Sequence, residues 1–493
     1  VIASSKARIE RVAALPAVIA GAVLLRVICG VGFANYDTLY ALTWGGQLAR
    51  GEAPAYGTAI APTPHPLVEL LGVILYPLGP RAVENVTVWI GFVALSGCAW
   101  VLYRLTSLWF GRAAGIVAAL ILLTRVPILS YGVRAYVDVP YMFLVLCAVL
   151  VEARRRAVAA APAGAPVLAL LALAGLLRPE AWAFSGLYWL YLIVWQRRGA
   201  GEAAGEPEPR SRRALAGLTL LAAAGPLIWI LSDLAITGDA LWSLTNTRHT
   251  AETLERITGI GNVPEYVPRR IGEILRPPVL VGAALGGVLS LLWLRRRALV
   301  GVAAGIAAAF VFIVVAAAGL PINTRYAFLT AAILCVFCGA GVFGWTRLSS
   351  GDRRRPWWIA AGAIVLVALI AFTPSQVRSG HREMSKLARQ QSIQDDLLAL
   401  VEDGSISLRC GPIGVPNHAP VPLLALYLKT SPANVLSAQV GSIVDGQYID
   451  PASKEVEQDY VLDPHDPHRA VSVPSGFLEA HANSTWLIFQ HCS

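Results

Sequence analysis

Charge is what this sequence has least of. Only 14% of its 493 residues are Asp, Glu, Lys or Arg, against roughly 25% in an average soluble domain. The length would suggest about three domains on a ~150-residue prior, but three soluble domains could not cover their surfaces with so few charges. A soluble multidomain enzyme is therefore excluded. Disorder is excluded as well, because 56% of the residues are hydrophobic and such a chain can bury ample apolar surface. Lysine is nearly absent: Lys6, Lys386, Lys429 and Lys454 are the only lysines among 40 basic residues. The arginines behind the net charge of +9 lie in short clusters beside apolar runs, without interleaved aromatics, which argues against nucleic-acid binding. Metal-ligand spacing is missing too. Cys335 and Cys338 form a C-x-x-C, but inside an apolar segment and outside any βαβ context, so the spacing is read as chance.

What the chain does have is apolar stretches approaching 20 residues, recurring through the first 373 positions and separated by arginine clusters. That pattern defines a polytopic α-helical membrane protein. Lys6, Arg8 and Arg11 precede a run to Ala34 that is too long for a signal-peptide core, so a retained first helix with a cytoplasmic N-terminus is expected. Residues 35 to 64 suggest a short helix lying in the outer interface. The run from His65 to Gly79 would reach only about 22 Å at 1.5 Å per residue, too short to cross, and is expected to dip into the outer leaflet. Further spans are expected at 84–103, 113–131, 139–153, 166–177, 181–195, 214–232, 277–294, 298–320, 327–345 and 357–373, with a long external loop at 233–276. The count is eleven spans, N-in and C-out. The chain then divides into a membrane domain, 1–373, and an extracytoplasmic α/β domain, 374–493, opened by an amphipathic helix near 380–402. In that tail Cys410 and Cys492 are expected to form a disulfide in an oxidising compartment. His418, His465, His468, His481 and His491 are read as surface residues, and Asn483-Ser484-Thr485 matches a glycosylation acceptor pattern.

The outer ends of the helices collect ionisable residues that hydrocarbon should exclude: Asp37, Arg81, Arg134, Asp138, Arg178, Glu180 and Arg325. Each costs roughly 2.5 to 3.5 kcal/mol on insertion scales unless paired or hydrated, so such residues are functional candidates. The plainer alternatives are interfacial snorkelling and structural ion pairs, in particular Asp138 with Arg134 four residues earlier and Glu180 with Arg178.

The order of these residues resembles that in the GT-C membrane glycosyltransferases, in particular the lipid A aminoarabinose transferases and protein O-mannosyltransferases. The resemblance runs over roughly residues 9 to 345. It rests on Asp37 after the first helix, His65-Pro66-Leu67, Arg81, Asp138-Val139-Pro140, "LLRPE" around Arg178 and "LPINTRY" around Arg325. It departs from the class at Leu67, where a proline is usual, at Val139, which separates the aspartate from its proline, and at Asp37, which has no acidic neighbour. The resemblance implies transfer of a sugar, with inversion, from a polyprenyl-phosphate donor to a glycan, lipid or protein acceptor outside a bacterial plasma membrane.

That chemistry suits the residue types. Asp37 is the expected base and Asp138 a second catalytic carboxylate. Arg325, Arg134, Arg178 and Arg81 are candidates for the donor phosphate, because guanidinium binds phosphate oxygens bidentately. Glu180, His65, Tyr136, Arg248 and His249 are candidates for sugar or acceptor. No cofactor is firmly indicated, and a divalent metal is possible but not supported by a paired-carboxylate motif. The rival readings are a secondary transporter or lipid flippase, whose site would lie at the midplane between repeats, and a catalytically silent scaffold of the same fold.

Overall fold

The computed structural model of the protein describes residues 14–158, 160–199, 212–461 and 472–492. Lys6, Arg8, Arg11, residues 200–211, His465 and His468 lie outside them. Helices α1 (Ala14–Cys29), α2 (Tyr36–Ala49) and α3 (Pro66–Leu75) precede the long α4 (Pro80–Phe110). Then follow α5 (Arg112–Leu123), α6 (Val126–Val133), α7 (Asp138–Ala157), α8 (Ala165–Gly175), α9 (Glu180–Gly199) and α10 (Arg212–Thr237). The series continues with α11 (Trp242–Thr253), α12 (Val263–Trp293), α13 (Arg295–Ala317), α14 (Phe328–Phe343) and α15 (Arg355–Glu402).

The expected spans overlap helices, but 113–131 is divided between α5 and α6 and the first run extends five residues past Cys29. The described residues contain six helices long and apolar enough to cross a membrane by themselves. Helices α5 and α6 meet that criterion only as a pair bent by 64°. The protein is thus a multi-pass membrane protein in which six spans, not eleven, follow from length and composition. Its central helices pack through small residues, which let backbones approach. At Gly286 of α12 an added Cβ would collide with the backbone of Phe337 and Gly341 in α14.

Two expectations change. The 233–276 segment is largely helical: it holds α11 and the first part of α12, which breaks at Arg276 (φ 65°) before Pro277 and Pro278. Helix α2 is not laid on a surface but enclosed. Residues Thr38 to Gln47 are all buried, and Leu39, Tyr40, Leu42 and Trp44 share one core with Val415, Leu423, Leu424 and Trp486 of the tail. A segment covered on both sides needs no polar face, and α2 shows none.

The tail contains β1 (Ile413–Val415), helix α16 (Val421–Tyr427), β2 (Val435–Ser437), β3 (Gly446–Pro451), β4 (Leu478–Ala482) and β5 (Trp486–His491). The strands form one sheet in the order β2-β1-β3-β5-β4, with β1 parallel to β2 and β3 and the β3–β5 and β5–β4 pairs antiparallel. Cys410 and Cys492 are joined, with Cα atoms 5.1 Å apart, a separation within the usual disulfide range. Helix α15 runs unbroken through Pro374, so the amphipathic tail helix continues the last apolar one.

Candidate active site

Asp37 owes its position to the N-terminus of α2. Asn35 caps that helix by accepting from the Asp37 and Thr38 backbone N–H groups, 2.9 and 3.3 Å, the ordinary use of asparagine at this position. The Asn35 amide and backbone N–H both donate to the Arg134 carbonyl, 3.1 and 2.9 Å. The Thr38 hydroxyl donates to the carbonyl of Ala135, 2.8 Å, itself at φ 51°. These bonds tie Asp37 to the loop that carries Tyr136 and opens α7 at Asp138.

Two ion-pair groups converge there. Arg325, in a turn of 3-10 helix at Thr324–Ala327, donates to Asp37 Oδ2 at 2.6 Å, and both side chains keep partial exposure, 20% and 16%. Arg178, between α8 and α9, pairs with Asp138 at 2.5 Å and with Glu180 at 2.7 Å, and all three are buried. Its guanidinium lies 4.5 Å from the Tyr326 ring centre. Asp138 therefore pairs with Arg178 rather than with Arg134.

These groups border a cavity of about 670 Å³. Asp37, His65, Tyr136, Arg178, Glu180 and Arg325 all line it. Asp138 lies just beneath, in a smaller hollow shared with Arg178, Glu180 and Arg325. Its Oδ2, the Nε of Arg325 and the Nδ1 of His65 are buried without a hydrogen-bond partner among the described residues. Unpaired buried groups are uncommon in folded proteins and call for an explanation. Part of the cavity wall is apolar, formed by Ile230, Val311, Val314, Val315 and Leu320.

Burial raises the Asp37 carboxyl, but the Arg325 guanidinium, with His65 and Arg178 nearby, more than offsets this and holds it below the ordinary aspartate value. His65 is pushed down to about 4, chiefly by burial; Asp37 pulls upward, and Arg178 and Arg325 oppose it. Near neutral pH the cavity thus presents an ionised aspartate beside an uncharged imidazole.

Four candidates stand elsewhere. Arg81 is exposed and pairs with Glu402 at 3.0 Å. Arg134 supports the site from behind: it stacks on Tyr131 and Tyr136 at 5.2 and 5.0 Å and donates to the Ser130 hydroxyl at 2.9 Å. Arg248 and His249 are exposed on α11, with Arg248 donating to the Ala318 carbonyl. That helix offers Ser243, Thr247 and Thr250 to the cavity instead.

The sequence reading missed Trp182, Trp229, Asp233, Tyr326 and His418, all in the cavity wall. Asp233 was findable as a lone acid in an apolar span. It is buried and accepts from the Ser243 hydroxyl and backbone N–H, both at 2.8 Å. His418 is a correction: it is not a surface residue but contacts the Tyr36 ring edge-on at 5.1 Å and bonds Gln439 at 2.8 Å.

As for metals, Asp37 faces Arg325, and no group of three or more His, Cys, Asp or Glu among the described residues is arranged to hold an ion.

The fold, a multi-pass bundle with a charged cavity beside an α/β tail, is similar to that of a solved archaeal oligosaccharyltransferase. The apo form of an Archaeoglobus fulgidus oligosaccharyltransferase is similar over 91% of this chain and 70% of its own, with TM-score 0.50 and 13% identity. The archaeal oligosaccharyltransferase AglB from Archaeoglobus fulgidus, in complex with an inhibitory peptide and a dolichol-phosphate, matches over 85% of this chain at TM-score 0.48 and 12% identity. This chain spans 64% of that protein's length. A complex with Zn and sulfate gives 0.39 and 14%, over 84% of this chain and 62% of the other. No family model and no curated protein matches the sequence. At such identities the likeness concerns the fold alone.

Proposed function

We propose that this protein is a membrane glycosyltransferase that moves a sugar from a polyprenyl-phosphate-linked donor to an acceptor hydroxyl on the extracytoplasmic side, with inversion. The observation that carries the reading is the Asp37–Arg325 pair at the edge of a cavity that is part apolar, part charged. The apolar wall suits a prenyl chain, and the dolichol-phosphate bound to the similar archaeal enzyme is consistent with such a donor.

Arg325 and Arg178 bind the donor phosphate. The acceptor oxygen attacks the anomeric carbon from the face opposite that phosphate, and the carbon–oxygen bond to phosphate breaks with its electron pair passing to the leaving oxygen. Asp37 takes the acceptor's proton. As charge grows on the leaving phosphate, Arg325 is drawn toward it and away from Asp37, which makes the carboxylate more basic when a base is needed. No internal repeat is visible in the sequence, and the buried ion pairs gather at helix ends; both points favour an enzyme over a transporter.

The test is transfer by purified protein reconstituted with a defined polyprenyl-phosphate sugar. Asp37→Asn keeps size and hydrogen bonding but removes the base, so transfer should fall by about 10²-fold or more while donor binding persists. Arg325→Ala should weaken donor binding itself. Near wild-type transfer by Asp37→Asn would remove Asp37 from the reaction and make Asp138 the next candidate.

A further inference from the structure

We propose that a second, cationic cleft, formed by α6, the break in α12 and the stretch of α15 beyond Pro374, binds the phosphate headgroup of an anionic phospholipid. The cleft encloses about 360 Å³ and is lined by Val126, Pro127, Arg276, Ser379, Arg382 and Lys386, with the acids Glu273 and Glu383 also in its wall. None of its lining residues belongs to the candidate active site.

Both acids are already engaged. Glu273 pairs with Arg269 at 3.3 Å and Arg270 at 2.9 Å and accepts from Thr324 at 3.3 Å. Glu383 accepts from the Ser130 hydroxyl at 2.7 Å. The cations are not: among the described residues Arg276, Arg382 and Lys386 make no ion pair, and all three side chains are exposed. An adjoining hollow brings in Arg378 and His381. Unpaired guanidinium and ammonium groups around one cleft favour a phosphate, whose oxygens accept several charge-assisted hydrogen bonds at once.

The backbone supports the same reading. Arg276 sits at φ 65°, a conformation uncommon for a non-glycine residue and one that persists where the surroundings fix it. Here the surroundings are explicit. Pro277 and Pro278 follow, and the preceding Leu275 carbonyl accepts from the buried Arg125 guanidinium at 2.7 Å. Arg125 thus fixes the helix break that turns Arg276 out of α12.

Level is what selects a lipid over free phosphate. Arg276 immediately precedes the apolar part of α12, where Val281, Val288 and Leu292 are exposed by 63%, 56% and 67%. On α15, Ile364, Val367 and Ile370 are exposed by 71%, 65% and 63%, and the same helix turns cationic at Arg378 and Arg382. Both helices therefore present an apolar face toward the bilayer and a cation at its end, the shape of an acyl chain continuing into a charged headgroup. A basic residue near an anionic lipid surface contributes enough to matter singly, and three together give a measurable preference.

The test is native mass spectrometry of the full chain released from micelles containing equal amounts of phosphatidylglycerol and phosphatidylcholine. Wild type should retain phosphatidylglycerol by about 10-fold or more over phosphatidylcholine, and millimolar inorganic phosphate should leave that ratio unchanged. The triple variant Arg276→Gln, Arg382→Gln, Lys386→Gln should bring the ratio near unity, while Arg295→Gln, in a separate exposed cluster, should not. Should the triple variant fail to fold, Arg276→Gln alone decides, with a clear drop in the ratio expected. Equal retention of both lipids by wild type, an unchanged ratio in the variants, or loss of the preference to inorganic phosphate would each overturn the proposal.

Discussion

The two ends of the membrane domain use arginine in opposite ways. Around Arg154, Arg155, Arg156, Arg295, Arg296 and Arg353 the side chains are exposed. Around the cavity, Arg178, Asp138 and Glu180 are buried, and Arg325 and Asp37 nearly so. Exposed arginines cost little to keep. Buried ones carry a desolvation penalty of several kcal/mol per ion and persist only with close partners. Burial alone does not mark function, as Arg125 shows. It is 4% exposed, yet it spends its donors on the Ile121 and Leu275 carbonyls and the Thr124 hydroxyl, which is a structural task at a helix break. What sets the Arg178 and Arg325 groups apart is that they face acids across the edge of a cavity.

The largest effect expected from this contrast is at Arg178. Arg178→Met would leave Asp138 and Glu180 buried without their cation, and breaking such a pair typically costs about 3 to 5 kcal/mol. Unfolding in a denaturing-detergent titration measures it, and adding Asp138→Asn and Glu180→Gln should recover part of the loss. A loss below about 1 kcal/mol, the range of exposed pairs, would mean that the two ends differ less than their burial suggests.

A smaller effect is expected from pH. His65 ordinarily titrates at 6.5 and in the fold at about 4. Between those values the unfolded chain binds a proton that the folded site refuses, so the contribution of His65 to stability falls as pH drops through this window and is level above it. The slope is about 1.4 kcal/mol per pH unit, or about 2 kcal/mol lost between pH 6.5 and pH 5. In His65→Gln this part of the pH dependence should vanish. Asp37 contributes nothing in this window. Its folded value lies below the ordinary 3.8, so the stability it confers is present above that pH and is lost only as pH falls through the lower folded value.

The sequence made the members of the two ion-pair groups visible, missed the cavity acid Asp233, and left the pairing hidden. Asp37, Asp138, Arg178, Glu180 and Arg325 stand out because ionisable groups are costly at membrane depth, a property of one residue and its neighbours. Partner choice depends on three-dimensional path. Four-residue spacing suggested Asp138 with Arg134, but that rule needs one continuous helix, and the chain breaks at Ala135 before α7 begins at Asp138. Arg81 misled for a similar reason: at the start of α4 it is exposed and pairs with Glu402 rather than lining the cavity. His418 could not be found at all, because the packing of the tail against α2 brings it to the cavity from 381 positions beyond Asp37. The acceptor-like Asn483-Ser484-Thr485 is likewise absorbed locally. Asn483 accepts from the backbone N–H groups of Thr485 and Trp486 and donates to the Asp396 carbonyl, so its amide shapes the turn between β4 and β5.

The smallest expected effect lies at the exposed end and serves as the control for the other. Arg295 and Arg296 begin α13, where a positive charge gains nothing from the helix dipole, and neither makes an ion pair among the described residues. Arg295→Gln with Arg296→Gln should therefore change stability by no more than about 0.5 kcal/mol, the usual range for surface substitutions. Transfer of sugar should also be unaltered, since neither residue approaches the cavity. If these arginines act as topology signals, their removal should show instead in the fraction of chains inserted in the correct orientation, read by the accessibility of a tag after Ser493 to an impermeant reagent. A stability loss matching that of Arg178→Met would erase the distinction between the two ends. A change in orientation with stability intact would sharpen it, because one residue type would then be shown to direct insertion at one end and to hold a buried site at the other.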